Sequence, residues 1–331
     1  MSRTLFNLCF VAVFLTGPAY ADRPQVAVDI APVHSLVAQV MDGIAAPDLI
    51  IQPGATPHEY SLRPSEAAAL QSADIVFWIG PDLTPWLAEA IETLAPTAAL
   101  TPLLDVDGAI QLEFRDNAVF KAHDHSNHYD HDDHGDHDDH GDDDDHDDHG
   151  DHDGHDVHGA HDPHAWLSPK NAMTWLDVIA SRLSDVDPVN SDAYLANAAS
   201  GRAAIEVLMD DVETTLASVR GREFIVFHDA YQYFETDFDF PASGAISMSD
   251  ASDPSPARIA EIRGEITEHG VACVLAEPQF NPGLVATVLR GSDARMGIAD
   301  PLGAELELGP KFYPKLIRSL SRALTECMRS D

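Results

Sequence analysis

Cationic side chains are scarce: 19 Lys and Arg face 56 Asp and Glu in a chain of 331 residues, for a formal net charge of −37. Such a surface repels the phosphates of nucleic acids and anionic lipids, which argues against both as partners, and it attracts cations. Cysteine is nearly missing, with three in all. Beyond the N-terminus no apolar run is long enough to cross a bilayer. There is no HExxH stretch and no arrangement of Ser or Cys with His that marks a nucleophile. Those absences point away from an enzyme.

The first residues have the make-up of an export signal. Arg3 precedes a short apolar run from Leu5 to Leu15, and Ala19-Tyr20-Ala21 fits a cleavage site before Asp22. Residues 1–21 are therefore expected to be a signal peptide, lost together with Cys9, and the mature protein to be exported. Two cysteines remain, Cys273 in the apolar run 271–275 and Cys327 in a C-terminal helical segment. In an oxidising compartment they are expected to pair, and the long loop so closed is worth about 4 kcal/mol by chain entropy. Two free buried thiols are the alternative.

What the chain has in excess lies in its middle. Thirteen of its 18 His fall between His123 and His161, most of them three residues apart among Asp and Gly. Residues 122–161 have almost nothing to pack, so the segment is expected to be disordered. A flexible run of imidazoles and carboxylates binds transition metals with low specificity. His131, His134, His137, His140, His146, His149, His152 and His155 are the expected weak accessory sites. Their presence directs attention to a better-ordered metal site in the flanking sequence.

That flanking sequence alternates strand and helix. Apolar runs at 26–30, 49–51 and 75–79 read as strands, with helical stretches at 34–41, 64–72 and 83–94 between and after them. The alternation restarts with strands at 224–227, 271–276 and 296–298 and helices at 256–270, 282–291 and 311–328. This pattern predicts parallel sheets flanked by helices. A helix at 169–183 precedes a one-faced helical pattern over 189–220, roughly 45 Å long at 1.5 Å per residue. The expected architecture is α/β with two lobes. Residues 22–188, which include the His-rich loop, form the first, 189–220 a long linking helix, and 221–331 the second. In open α/β sheets ligands bind beyond the carboxyl ends of the strands, and two such lobes facing each other make a cleft.

Four residues fall at or after strand ends: His58, His164, His228 and Asp300. Three imidazoles and a carboxylate suit four-coordinate Zn2+ and disfavour magnesium, calcium and manganese. The words around them are specific. His58-Glu59-Tyr60-Ser61-Leu62-Arg63-Pro64-Ser65 and Trp78-Ile79-Gly80-Pro81 stand in the first half. His164-Ala165-Trp166-Leu167-Ser168-Pro169, Phe227-His228-Asp229-Ala230-Tyr231 and Ala276-Glu277-Pro278-Gln279-Phe280 follow. Together they resemble the cluster of metal-binding proteins that feed ABC importers, and within it the periplasmic zinc-binding proteins of high-affinity zinc uptake systems.

The resemblance covers nearly all of the chain outside the His-rich tract. It implies His58, His164 and His228 as ligands of Zn2+ carried in an interlobe cleft, with no reaction catalysed. Manganese-binding relatives tend to carry Glu at the third position, so His228 favours zinc. Asp300 stands in the place of the family's Asp ligand, at a fourth position that varies between Asp, a nearby Glu and water. Some members use a Glu just before the first His. Here that place is Pro57, and Glu59 follows His58 as the alternative. The resemblance further implies a Cys273–Cys327 disulfide and a monomer in the periplasm. The expected partner is an ABC permease in the inner membrane.

Competing readings are a zinc buffer or adhesin without a transporter and, with Glu59 beside a bound hydroxide, a zinc hydrolase. His34 is expected to cap a helix or to support the site from behind. Asp229 and Glu277 are expected to accept hydrogen bonds that orient ligand imidazoles, and Arg63 and Arg295 to balance local carboxylates. His269 closes a helix, where the dipole favours a cation.

Overall fold

The computed structural model describes residues 23–115, 117, 119–120, 161–248 and 254–329. The expected signal peptide and the eight accessory His of the tract lie outside the described residues.

The chain runs β1 (Val26–Val28), α1 (Ala31–Val40), β2 (Asp48–Leu49), α2 (Pro64–Ser72), β3 (Ile75–Trp78), α3 (Pro85–Leu94) and β4 (Ala99–Pro102). These form a parallel sheet in the order β2-β1-β3-β4. After α4 (Pro169–Val186) and α5 (Ser191–Leu216) come β5 (Phe224–His228), α6 (Gln232–Phe238), β6 (Gly244–Ser247), α7 (Pro256–Glu268), β7 (Cys273–Ala276), α8 (Pro282–Val288), β8 (Arg295–Ile298) and α9 (Phe312–Met328). The second sheet repeats the topology of the first, parallel in the order β6-β5-β7-β8. The expected two lobes are both present.

The elements follow from local chemistry. Every residue of β3 and β5 is buried, as continuous apolar runs in a doubly covered parallel sheet must be. Prolines open α2, α3, α4 and α7, where a missing N–H costs nothing. Ser168 and Ser255 cap α4 and α7 by accepting from the N–H of Asn171 and Arg258. Three elements that periodicity does not mark also form. β4 is an edge strand ending in Pro102, β6 is only Gly-Ala-Ile-Ser flanked by turn-like sequence, and α6 is only seven residues long. Their pairing and packing are tertiary, and no short-range pattern announces them.

The long helix is α5, 26 residues or about 39 Å. It packs on α1 and α4 from the first lobe and on α9 from the second. Gly201 lets α4 come close, since a Cβ there would lie 2.9 Å from Leu176 Cδ1. One apolar cluster extends from Val26 through α5 to Met328, crossing both lobes, and a smaller one lies under β5 and β7. The Cys273–Cys327 disulfide forms and ties β7 to α9. On the neighbouring strand Gly297 makes room for it, because a Cβ would meet Cys327 Cβ at 2.8 Å.

Asp29 follows β1 and is fully buried. One carboxylate oxygen accepts from Ile30 N and the other from Ile79 N, both at 2.7 Å, which joins the ends of β1 and β3. Burial pushes its carboxyl up to about 7 against the pull of those two donors. Truncation would leave two buried N–H groups without acceptors, each costing about 1–3 kcal/mol. Asp29→Ala should therefore destabilise the protein by about 2–6 kcal/mol, seen as a lower midpoint in thermal or urea unfolding.

Candidate metal centre

His58 lies on the loop from β2 to α2, and the loop is pinned on two sides. Trp86 Nε1 donates to Pro57 O at 2.8 Å. The buried Glu66 carboxylate accepts from Tyr60 Oη at 2.8 Å and from Arg63 N at 2.7 Å, capping α2. His164 stands just before the short turn of 3-10 helix at Ala165–Leu167. Asp162 accepts from its backbone N–H at 2.9 Å and faces its Nδ1 at 2.7 Å. His228 ends β5, and its Nδ1 faces Glu277 Oε1 at 2.7 Å. His164 and His228 are only 6% and 4% exposed.

The two clamped imidazoles meet across the lobe boundary, with their Nε2 atoms 3.4 Å apart. A carboxylate that accepts the Nδ1 proton of an imidazole turns the Nε2 lone pair towards the opposite side of the ring. Two nitrogens on a tetrahedral zinc, with bonds of about 2.05 Å, stand about 3.3 Å apart. The observed 3.4 Å is close to that ligand–ligand distance. His58 is half-buried, and its ring centroid lies 5.8 Å from that of His164. Among the described residues no three such side chains are gathered around one point. The three His line one cleft of about 330 Å³, with Glu277, Trp166 and Phe280 in its wall. Burial raises the Asp162 carboxyl to about 7 and pushes Glu277 upward, while His228 pulls Glu277 back.

The other expected residues are placed differently. Asp300 follows β8 with its carboxylate already engaged. Oδ1 accepts from Gln279 Nε2 and Leu302 N at 2.9 Å, and Oδ2 from Ala304 N at 2.7 Å. Glu59 is exposed, beside His58 in an open depression that also includes Tyr60 and Trp86. Glu277 orients an imidazole as expected, but Asp229 does not: its carboxylate is paired with Arg115. His34 is not a cap. It is buried within α1, its Nε2 3.1 Å from Pro47 O, and burial lowers its pKa. His269 follows α7 near Glu265, at 3.7 Å.

Sequence reasoning missed Asp162 and Arg115. Asp162 reads as the tail of the acidic tract, although Asp-Pro-His placed it two residues from a ligand candidate. Arg115 carried a usable signal, as a lone cation in an acidic stretch of a cation-poor chain.

The profile of a family described as ZnuA, zinc-uptake complex component A periplasmic, matches residues 26–327. The chain belongs to this family. It is 44% identical over 331 residues to the high-affinity zinc uptake system protein ZnuA of Brucella abortus, covering 98% of this chain and 99% of the relative. A crystal structure of ZnuA superimposes with a TM-score of 0.72 at 20% identity, covering 93% of this chain and all of that one. A zinc-bound ZnuA deletion mutant gives 0.71 at 20% identity, over 94% of this chain and 100% of that one. The family's two-lobed fold is the one seen here. Among the described residues no helix is long and apolar enough to cross a membrane.

Trp166 offers a probe of the centre. Its ring lies 5.2 Å from that of His164, and its Nε1 donates to Pro301 O at 2.8 Å across the cleft. Adding zinc should change the intrinsic fluorescence of the wild-type protein, and Trp166→Phe should abolish most of that change.

Proposed function

We propose that this protein captures Zn2+ between its lobes on His58, His164 and His228 and delivers it to the permease of an ABC importer in the inner membrane. Asp300 or a water takes the fourth position, with Glu59 as the alternative. Membership of a zinc-uptake family supports the cargo, and a single observation carries the site: the 3.4 Å gap between His164 Nε2 and His228 Nε2, with both Nδ1 atoms held by buried carboxylates. A nitrogen-rich set in a mostly apolar wall selects a borderline ion over magnesium or calcium. The signal peptide at residues 1–21 directs the protein to the periplasm. The His/Asp tract collects zinc weakly beside the tight site.

The arrangement favours holding over turnover. The imidazole ligands come from both lobes, so a bound ion is enclosed rather than left with an open position for substrate. One apolar cluster spans both lobes, and α5 packs on both. Loading and release therefore involve small shifts rather than wide hinge opening.

Calorimetric zinc titration should give one tight site and several weak ones in the wild type. The triple substitution His58→Ala, His164→Ala, His228→Ala should keep only the weak ones, and a tight site that survives it would overturn the assignment. An imidazole must shed its proton to ligate. Tight-site affinity should fall as the pH is lowered and the imidazoles take up protons, by up to about tenfold per pH unit for each ligand. Competition with a chelator across pH checks the slope.

A further inference from the structure

Arg115 lies on the stretch that leads from β4 towards the His-rich tract, and its guanidinium is sunk into the second lobe. Nε donates to Asp229 Oδ2 at 2.9 Å, Nη1 donates to Glu235 Oε2 at 2.8 Å, and Nη2 engages both carboxylates. The Phe120 ring closes over it, 3.6 Å from the guanidinium carbon. Asp229 and Glu235 are buried, at 7% and 5% exposure. A planar fork spanning two carboxylates fixes their direction as well as their charge.

The same stretch is tied to both clamped imidazoles. Asp162 N donates to Leu112 O at 2.8 Å. Leu112 N donates to Tyr233 Oη at 3.0 Å, and that hydroxyl donates to Asp162 O at 2.7 Å. Asp162 in turn holds His164. On the other side, Asp229 is the residue after His228. Further along, Val119 bridges Gly244, and Phe120 N donates to Ser243 O at 2.8 Å, at the edge of the second sheet.

We infer that Arg115 is a positioning residue for metal capture: by bolting residues 111–115 to Asp229 and Glu235 it sets the spacing between His164 and His228 without touching the ion. The inference rests on the zinc site proposed above. Without the guanidinium, two buried carboxylates face each other with no cation between them, and breaking a buried pair in this way is strongly unfavourable. Asp229 then moves, and His228 moves with it. Asp162 loses the anchored segment that holds its backbone. The geometry of both clamps changes although neither ligand is altered.

The test compares wild type, Arg115→Ala and His164→Ala at a temperature where all three are folded. Zinc Kd is read by chelator competition, and site geometry by the visible d–d absorption of Co2+ added below one equivalent. Arg115→Ala should raise the zinc Kd by roughly 10–100-fold, the range for groups that orient metal ligands, and shift the Co2+ bands. A wild-type Kd and Co2+ spectrum in Arg115→Ala would overturn the inference, even with a lowered melting temperature, since the bolt would then be structural only. An unchanged Kd in His164→Ala would instead remove the zinc site itself. Should Arg115→Ala fail to fold, Glu235→Gln is read by the same criteria. It removes one arm of the fork and keeps an acceptor for Ala242 N.

Discussion

Two imidazole nitrogens held 3.4 Å apart across the boundary between lobes set the terms for the rest of the structure. Left to themselves, two rings meeting at that distance could each rotate away. Neither is free to do so, because Asp162 and Glu277 hold the opposite nitrogens at 2.7 Å. Those carboxylates are themselves buried, at 1% and 4% exposure. A buried anion with a single hydrogen-bond partner is costly. Here that cost is offset by the backbone N–H of His164 on Asp162 and by the imidazoles themselves. A divalent cation between the two Nε2 atoms would complete the compensation.

Such a spacing can be kept only if the lobes do not drift. Three layers of contact hold them. α5 packs on helices of both lobes, and the apolar cluster runs through it without interruption. Around the cleft, polar bonds cross directly. Trp166 Nε1 reaches Pro301 O, Tyr313 Oη donates to Trp166 O at 2.9 Å, and Ser168 Oγ donates to Asp237 Oδ2 at 2.7 Å. Behind these sits the Arg115 fork. A two-lobed binder joined by flexible strands could open widely, whereas this one is built to hold a gap of a few ångströms.

The parts of this design that were legible in the sequence are those in which local chemistry decides. Buried parallel strands such as Ile75–Trp78 and Phe224–His228 are nearly uniform apolar runs, and the helices that start on Pro carry their own signal. His58, His164 and His228 stood out because each follows a recognisable strand or motif. β6 could not be read, because Gly244–Ser247 has no pattern of its own and becomes a strand only by pairing with β5. Asp162 and Arg115 were obscured for a related reason. The roles of both depend on partners far along the chain, such as Asp229, which is 114 residues from Arg115. Asp229 was assigned to an imidazole from its position beside His228, and proximity along the chain misjudged which way its side chain turns.

The charge imbalance of the chain gives that last interaction its weight. With 56 acidic residues against 19 cationic ones, a spare guanidinium is rare. Ion pairs such as Arg202–Asp177 and Arg220–Glu213 lie at the surface, where solvent screens them and each is worth at most about 1 kcal/mol. Arg115 is spent differently, on two carboxylates buried beside the cleft. Near a site meant for a cation, extra uncompensated anions would bind any cation tightly and would pull the imidazoles out of register. Tying Asp229 and Glu235 to one guanidinium turns both carboxylates away from the cleft, whose wall carries the three imidazoles and Glu277. The acidic surface can then concentrate cations near the protein while the discrimination among them stays with geometry.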